Sequence, residues 1–172
     1  MKHNIIMLRY KKESNNMDIA HIGEAVLSQK ASDVTDVTDT DIQVLIDKMF
    51  LTMRTEKGVG LAAPQVNVSK RIVVIEAEDQ RLALINPQIT YRSEERILFT
   101  EGCLSVPGKE LPIIRYQKIT VDYLDRYGVE RSLTANEFLA VICQHEIDHI
   151  NGILMTDRYK QQTNIRETLN IT

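Results

Sequence analysis

The stretch TANEFLAVICQHEIDHING, residues 134–152, decides how the rest of the chain is interpreted, because it predicts a helix that carries two histidines. Thr134 and Glu137 have the spacing of a capping box at a helix start. Apolar residues then recur at helical intervals, and Asn151-Gly152 is a typical C-terminal stop. We therefore expect one helix across this stretch.

His145 and His149 lie on one face of this predicted helix, since residues four apart have Cβ atoms about 5–6 Å from each other. Two imidazole nitrogens at that spacing can bind one zinc-like divalent ion. Glu146 would then lie beside the open coordination position. The alternative is a pair of surface histidines without a ligand. The pattern favours a metal-dependent hydrolase.

A first helix is predicted upstream, where Thr38 and Asp41 have capping-box spacing. Apolar residues follow at helical intervals from Ile42 to Met53, and the helix should end before Gly58. Residues 71–75 and 81–85 have the composition of strands, and Asn86-Pro87 should break the second of them.

Alternating apolar residues predict a further strand at residues 119–123, a hairpin turn at 126–128 and a strand at 129–133. The order helix, strands, helix is typical of an α+β fold. Residues 1–16 are polar and basic, and we expect a disordered arm or a misassigned start there. Residues 17–172 would then form a single catalytic domain, ending in a short polar surface tail from Lys160.

Composition argues against nucleic-acid and membrane partners. The 172 residues, 43% of them hydrophobic, fit one domain on a prior of about 150 residues per domain. With 21 basic and 24 acidic residues, the net charge is -3, so no positive field attracts nucleic acid. No apolar run reaches the roughly 18 residues that span a membrane. We expect a soluble, cytoplasmic protein whose two cysteines are thiols.

A histidine pair needs at least one more protein ligand, and Cys103 is the soft candidate outside the helix. It lies in Glu101-Gly102-Cys103-Leu104-Ser105, where Gly102 would let the backbone approach closely. Two imidazoles and one thiolate leave the fourth tetrahedral position to water, as in a catalytic site. The alternative is that Cys103 is a small buried hydrophobe, which is the interpretation adopted for Cys143.

The segment Gly58-Val-Gly-Leu-Ala-Ala-Pro-Gln65 is a weak signal alone, because two glycines usually indicate a turn. Beside a metal site, Gly58 and Gly60 could hold an extended substrate backbone close. Gln65 could donate an amide N–H to a developing oxyanion.

Together, the three segments resemble the motifs of the peptide deformylase family: Gly58-x-Gly60-x-Ala62-Ala63-x-Gln65, Glu101-Gly102-Cys103-Leu104-Ser105 and His145-Glu146-x-Asp148-His149. The resemblance extends from about Met17 to Tyr159. It implies an α+β fold with antiparallel sheets packed around a central C-terminal helix that carries the His-Glu-x-x-His motif. It also implies a metal-dependent hydrolase that removes the formyl group from the N-terminal formyl-methionine of newly made polypeptides and releases formate.

Matching residue by residue, the resemblance implies that Cys103, His145 and His149 are the metal ligands and Glu146 the general acid and base. Gln65 and the backbone N–H of Leu104 would stabilise the oxyanion. The residues expected to bind substrate are Gly58, Val59, Gly60, Phe138, Val141 and Ile142, for whose apolar members ordinary core packing is the alternative. The residues expected to orient the ligands are Glu101, Arg115, Gln144 and Asp148, for which the alternative is a surface ion pair.

Spacing does not identify the metal. Zinc binds such sites more tightly than iron(II), whereas the resemblance implies iron(II) as the native ion, with zinc or another divalent ion also able to bind. The expected partners are formyl-methionyl nascent polypeptides. The tail after Tyr159 lacks the long basic C-terminal helix of many bacterial members, which calls ribosome docking through that element into question.

Two rival functions fit part of the pattern. A zinc endopeptidase shares His-Glu-x-x-His but usually takes its third ligand from further along the chain, and no histidine follows His149. A non-catalytic homologue that binds peptide or metal is the rival of another class, and the presence of both Glu146 and Gln65 argues against it.

Overall fold

The computed structural model describes residues 16–168, with side chains described up to residue 164. The expected arm at residues 1–16 lies outside this part apart from Asn16, so the domain boundary stays a prediction. The described elements are α1 (Thr40–Thr55), β1 (Gly60–Ala62), β2 (Ile72–Ala77), β3 (Gln80–Arg92), β4 (Arg96–Gly102), β5 (Glu110–Tyr116), β6 (Lys118–Leu124), β7 (Glu130–Asn136), α2 (Glu137–Ile150) and α3 (Met155–Thr168), with short 3-10 helices at Ala25–Ser28 and Ala63–Val66.

The strands form two antiparallel sheets. One has five strands in the order β1-β2-β3-β6-β7, and the other is the hairpin β4-β5. The predicted turn at residues 126–128 joins β6 to β7, and Gly128 supplies its positive φ of 79°. Within residues 16–168, no helix has both the length and the apolar composition to cross a membrane.

Helix α2 is surrounded by other elements. It contacts β1, β2 and β7 on the large sheet and β5 on the hairpin, and every residue from Leu139 to Ile150 is buried. The predicted α+β fold, with antiparallel sheets around the helix that carries the histidines, is confirmed.

The packing of strand β2 explains why its apolar residues do not alternate with polar ones. Val73 and Ile75 pack in the core cluster that includes α2, whereas Ile72 and Val74 pack in the cluster beneath α1. Successive side chains of a strand point to opposite faces. Because both faces of β2 are covered by helices, four consecutive apolar residues are buried.

The prediction that Asn86-Pro87 breaks a strand is wrong. Strand β3 runs through both residues, and its register with β6 shifts between Ile85 and Gln88. Asn86 adopts a positive φ of 52°, and its side chain hydrogen-bonds both the N–H and the C=O of Val34 at 2.9 Å. A β-bulge absorbs the irregular backbone, so the strand bends and continues.

Both capping-box predictions misplace the helix start. Helix α1 is capped by Asp39, whose carboxylate accepts the Asp41 N–H at 2.7 Å. Thr134 lies in β7, paired with Thr120 of β6, and α2 begins only at Glu137. Residues 134–136 pair with β6 as part of the large sheet, so they form the end of a strand and not the start of the helix.

The C-terminal tail was predicted to be a short polar surface segment, but the structure continues it as α3 to Thr168. Tyr159 packs with Ile113, Leu154 and Met155. The Gln162 amide donates to the Ile114 C=O at 2.9 Å and accepts the Ile114 N–H at 3.0 Å. Contacts with β5 therefore hold a helix of polar sequence in place.

Gly152 ends the turn after α2 with a φ of 74°, and a Cβ there would lie 2.8 Å from the backbone of Ser28. We expect Gly152→Ala to destabilise the fold by about 1–3 kcal/mol more than Gly128→Ala, the usual cost of overpacking. Gly128 has a similar φ of 79°, but its nearest neighbour would be 3.9 Å away. Urea unfolding midpoints of the two variants measure the difference, and equal losses would contradict the expectation.

Candidate metal centre and active site

Three segments that are distant in sequence meet at one end of the large sheet. Helix α2 brings His145, Glu146 and His149, and the loop after β4 brings Cys103. The 3-10 helix Ala63–Val66, which follows the edge strand β1, brings Gln65. Since α2 contacts β1, β5 and that 3-10 helix, packing around α2 gathers all three segments.

The side chains of Cys103, His145 and His149 converge on one point. The Nε2 atom of His149 lies 3.2 Å from Cys103 Sγ and 3.2 Å from His145 Nε2, and the three donor atoms lie within 4.8 Å of one another. Burial holds the pKa of His149 well below its usual value, which keeps the ring neutral, as a ligand must be. This sulfur and nitrogen donor set fits a divalent transition-metal ion.

Glu101 sets the orientation of the His145 ring. Its Oε2 atom lies 2.8 Å from His145 Nδ1. A carboxylate only accepts hydrogen bonds, so Nδ1 carries a proton, and Nε2 is the ring nitrogen that faces Cys103 and His149. Burial opposes ionisation of Glu101, but hydrogen bonds from His145 and Arg115 outweigh it and lower the pKa of Glu101 to about 2.

Arg115 connects Glu101 to α2. Its Nε donates to Glu101 Oε1 at 2.7 Å, and its Nη1 donates to Asp148 Oδ2 at 2.5 Å. Burial acts against the charge of Arg115, but the two carboxylates raise its pKa. All three side chains are at most 8% exposed, so the alternative of a surface ion pair is wrong.

Arg158 of α3 completes this network, and sequence reasoning missed it. Its Nε and Nη2 atoms donate to the two oxygens of Asp148 at 2.9 and 2.5 Å. Asp148 and Arg158 lie on two separate helices, α2 and α3, so no local period relates them, and α3 is not among the predicted elements. The basic residue in a polar stretch was the only available signal.

Gln144 has a structural contact with the hairpin. Its amide accepts the Tyr116 N–H at 3.0 Å and donates to the Tyr116 C=O at 2.9 Å. This pair fastens α2 to β5. Gln144 therefore fixes the position of α2 against the hairpin. Among the described residues, its hydrogen bonds do not involve the three donor side chains.

The carboxylate of Glu146 lies against Gly60, in space that a side chain at position 60 would fill. A Cβ at position 60 would be 2.5 Å from Glu146 Oε1. The Oε2 atom is buried and has no hydrogen-bond partner among the described residues. Burial raises the pKa of Glu146 to about 7, which is suited to proton transfer near neutral pH.

The Gln65 amide is held on both sides. Its Oε1 accepts the Ala62 N–H at 2.8 Å, and its Nε2 lies 3.3 Å from Ser105 Oγ and 3.6 Å from Cys103 Sγ. Leu104 directly follows Cys103 and lines the cavity beside Gln65. Both residues that were expected to stabilise an oxyanion therefore lie next to the donor cluster.

A cavity of about 1060 Å³ opens in front of these groups. All six residues expected to bind substrate line it: Gly58, Val59, Gly60, Phe138, Val141 and Ile142. Ile142 also belongs to the core cluster, and Phe138 packs against that cluster and against the Phe99 ring. Ile142 and Phe138 therefore both line the cavity and pack with the core. Residues 16–19 and His21 form a further wall that sequence reasoning missed.

Comparison with known proteins gives one consistent result. The family model described as polypeptide deformylase matches residues 16–164. The peptide deformylase of Halothermothrix orenii is 48% identical over 144 residues, covering 83% of this chain and 92% of the relative. That of Synechocystis is 36% identical over 174 residues, covering 98% of this chain and 92% of the relative.

Solved structures agree in fold. The peptide deformylase of Thermotoga maritima superposes with a TM-score of 0.81 at 37% identity, covering 83% of this chain and 97% of that one. A Synechococcus elongatus peptide deformylase, solved in complex with actinonin, gives a TM-score of 0.83 at 37% identity, covering 92% of this chain and 86% of that one. From its sequence, its fold and the convergence of its three motifs, this chain belongs to the polypeptide deformylase family.

Proposed function

We propose that this chain hydrolyses the formyl group from the N-terminal formyl-methionine of newly made polypeptides and releases formate. Family membership supports this reaction. The observation that carries it at the level of residues is the position of Glu146. Its carboxylate is buried, has no hydrogen-bond partner on one oxygen within the part of the chain that the structure describes, and lines the cavity together with Cys103 and His145.

One divalent metal ion would be held by Cys103 Sγ, His145 Nε2 and His149 Nε2. When bound, such an ion supplies Lewis acidity and lowers the pKa of a coordinated water to roughly 7. We propose iron(II) as the native ion and zinc as an alternative occupant. A thiolate donates more charge than a third imidazole would and makes the ion less electrophilic, so we expect zinc to give the slower enzyme.

Glu146 would carry the proton through the reaction. With a pKa of about 7, its carboxylate can take a proton from the attacking water and return it to the amine of the leaving methionine. One side chain then serves both steps. Gly60 leaves the room for this carboxylate to lie against the substrate backbone.

Gln65 Nε2 and the backbone N–H of Leu104 would donate hydrogen bonds to the oxyanion that forms on the formyl group. Gly58 and Gly60 would let the extended backbone of the substrate approach the wall of the cavity. The methionine side chain would enter the apolar part of the cavity, lined by Val59, Phe138, Val141 and Ile142.

Glu101, Arg115, Gln144 and Asp148 would hold the ligands in place from behind. Glu101 fixes the His145 ring, Arg115 joins Glu101 to Asp148, and Gln144 fastens α2 to the hairpin. Partners of this kind orient metal-binding side chains and tune their basicity.

The proposed partners are formyl-methionyl nascent chains. Helix α3 has three basic and two acidic residues, which give it a net charge of +1. Arg158 is already paired with Asp148. We therefore propose that any association of α3 with the ribosome is transient, because RNA binding depends on cations that contact phosphates. The cytoplasm, predicted from the sequence, is where such chains are made, and it stays a prediction.

Formate release from a formyl-Met peptide tests the function. Protein loaded with iron(II) without oxygen should release formate and leave an unformylated peptide uncut, and zinc-loaded protein should be slower. Cleavage of the unformylated peptide would instead indicate an endopeptidase. Neither activity would indicate a non-catalytic binding protein. Equal rates with iron and zinc would contradict the assignment of the native ion.

Replacing Glu146 by glutamine should separate chemistry from metal binding. Glu146→Gln keeps the size of the side chain but cannot move the proton, so kcat should fall at least about 100-fold, the low end for general acid-base catalysis. Elemental analysis should show unchanged metal content, because Glu146 is not a proposed ligand. Wild-type turnover in this variant would refute the role.

Cys103→Ser should weaken metal retention, because a neutral hydroxyl replaces a thiolate ligand. The matched control is Cys143→Ala, since Cys143 is fully buried in the core. We expect elemental analysis after dialysis against a chelator to show metal loss only in Cys103→Ser. Equal metal content in the two variants would contradict the ligand assignment.

A further inference from the structure

The orientation of the Gln65 amide is fixed by groups that do not touch the cavity. The Ala62 N–H points at Gln65 Oε1 from 2.8 Å, and a backbone N–H can pair only with the oxygen of an amide. Nε2 must therefore face the opposite side. There Nε2 donates one hydrogen to Ser105 Oγ at 3.3 Å and the other to Cys103 Sγ at 3.6 Å, and since Cys103 lines the cavity, the second hydrogen points to the cavity side.

Ser105 lies outside the cavity wall. Its exposed fraction is 0%, and the cavity is lined by Leu104 and Val106 on either side of it. Ser105 therefore cannot touch a substrate bound there. Any effect of its hydroxyl on the reaction has to pass through Gln65.

The backbones of Gln65 and Ser105 are joined by a third segment, residues Ala20–Ile22, which we name the strap. The Ala20 N–H donates to the Gln65 C=O at 2.8 Å, and the Ile22 N–H donates to the Ser105 C=O at 2.9 Å. Two alternate residues of the strap thus bridge two segments that are 40 residues apart along the chain.

The strap is anchored from beneath. Ala20 has an exposed fraction of 0% and packs in one apolar cluster with Val106 and Met155. Its neighbours Ile19 and His21 point to the other side and line the cavity. The strap is therefore held by the core at Ala20, while His21 forms part of the cavity wall and Ile22 is exposed.

We propose that Ser105 and the strap are positioning elements that aim the Gln65 amide at the reacting carbonyl. The strap sets the spacing between the two segments, and the Ser105 hydroxyl then holds Nε2 in the direction that the Ala62 N–H imposes. This inference rests on the proposed deformylase activity and on the role of Gln65 in it. Preorganised donors stabilise an oxyanion because they need no rearrangement as the charge develops.

A double-mutant cycle tests the proposal. We compare kcat and KM for a formyl-Met peptide in the wild type, Ser105→Ala, Gln65→Ala and the double variant, each checked for equal metal content. Gln65→Ala should lower kcat about 100-fold, as the loss of one oxyanion donor does. Ser105→Ala should lower kcat about five- to tenfold with little change in KM, the range that one neutral hydrogen bond is worth.

In the Gln65→Ala background, Ser105→Ala should change kcat less than about twofold, since residues that act as one unit are not additive. A purely structural role for Ser105 would lower kcat equally in both backgrounds. The matched control is Ser93→Ala, a buried serine that hydrogen-bonds the backbone of Glu95 and Lys118 away from the cavity. We expect it to lower the unfolding midpoint but leave kcat unchanged.

The strap is tested by Ala20→Leu, which overfills a fully buried position and displaces the backbone that binds Gln65. Its effect on kcat should likewise disappear in the Gln65→Ala background. Equal losses in both backgrounds, or an unchanged kcat in both Ser105→Ala and Ala20→Leu, would overturn the inference while the deformylase activity stands. A wild-type protein that releases no formate would overturn both.

Discussion

The burial of a polar helix face is the constraint on which the rest of this structure depends. Helix α2 is buried along twelve consecutive residues, which include His145, Glu146, Asp148 and His149. An unpaired buried charge costs several kcal/mol, so such a helix can be enclosed only if the surrounding elements bring the complementary groups. The hairpin β4-β5 brings Glu101 and Arg115, and α3 brings Arg158.

The same packing separates groups that are satisfied from groups that are left open. On the side of the hairpin, the two carboxylates of Glu101 and Asp148 are neutralised by Arg115 and Arg158 through short hydrogen bonds. On the side of the cavity, Glu146 Oε2 is buried and has no hydrogen-bond partner in residues 16–164. Unsatisfied buried polar atoms are rare in proteins and are often found where chemistry is done. The position of the open groups therefore coincides with the proposed reaction.

Local sequence patterns gave a good account of elements whose signal is periodic. The helix with the histidine pair, the strand near residues 71–75 and the turn at 126–128 all form, although the helix begins only at Glu137. The predictions are wrong where hydrogen bonds to a residue far along the chain fix the backbone conformation. Asn86 is held in a bulge by Val34, Thr134 is drawn into β7 by Thr120, and Gln162 holds a polar tail against β5.

The sequence by itself determined which chemical groups are present and how they are spaced along each segment: two imidazoles and a carboxylate on one helix, a thiol after a glycine, and an amide after two glycines. Which of these groups meet, and which are open to the cavity, follows from the packing of the folded chain. The reason is that side-chain periodicity is a property of one segment, whereas the links from Arg158 to Asp148 and from the strap to Gln65 and Ser105 depend on how separate segments pack.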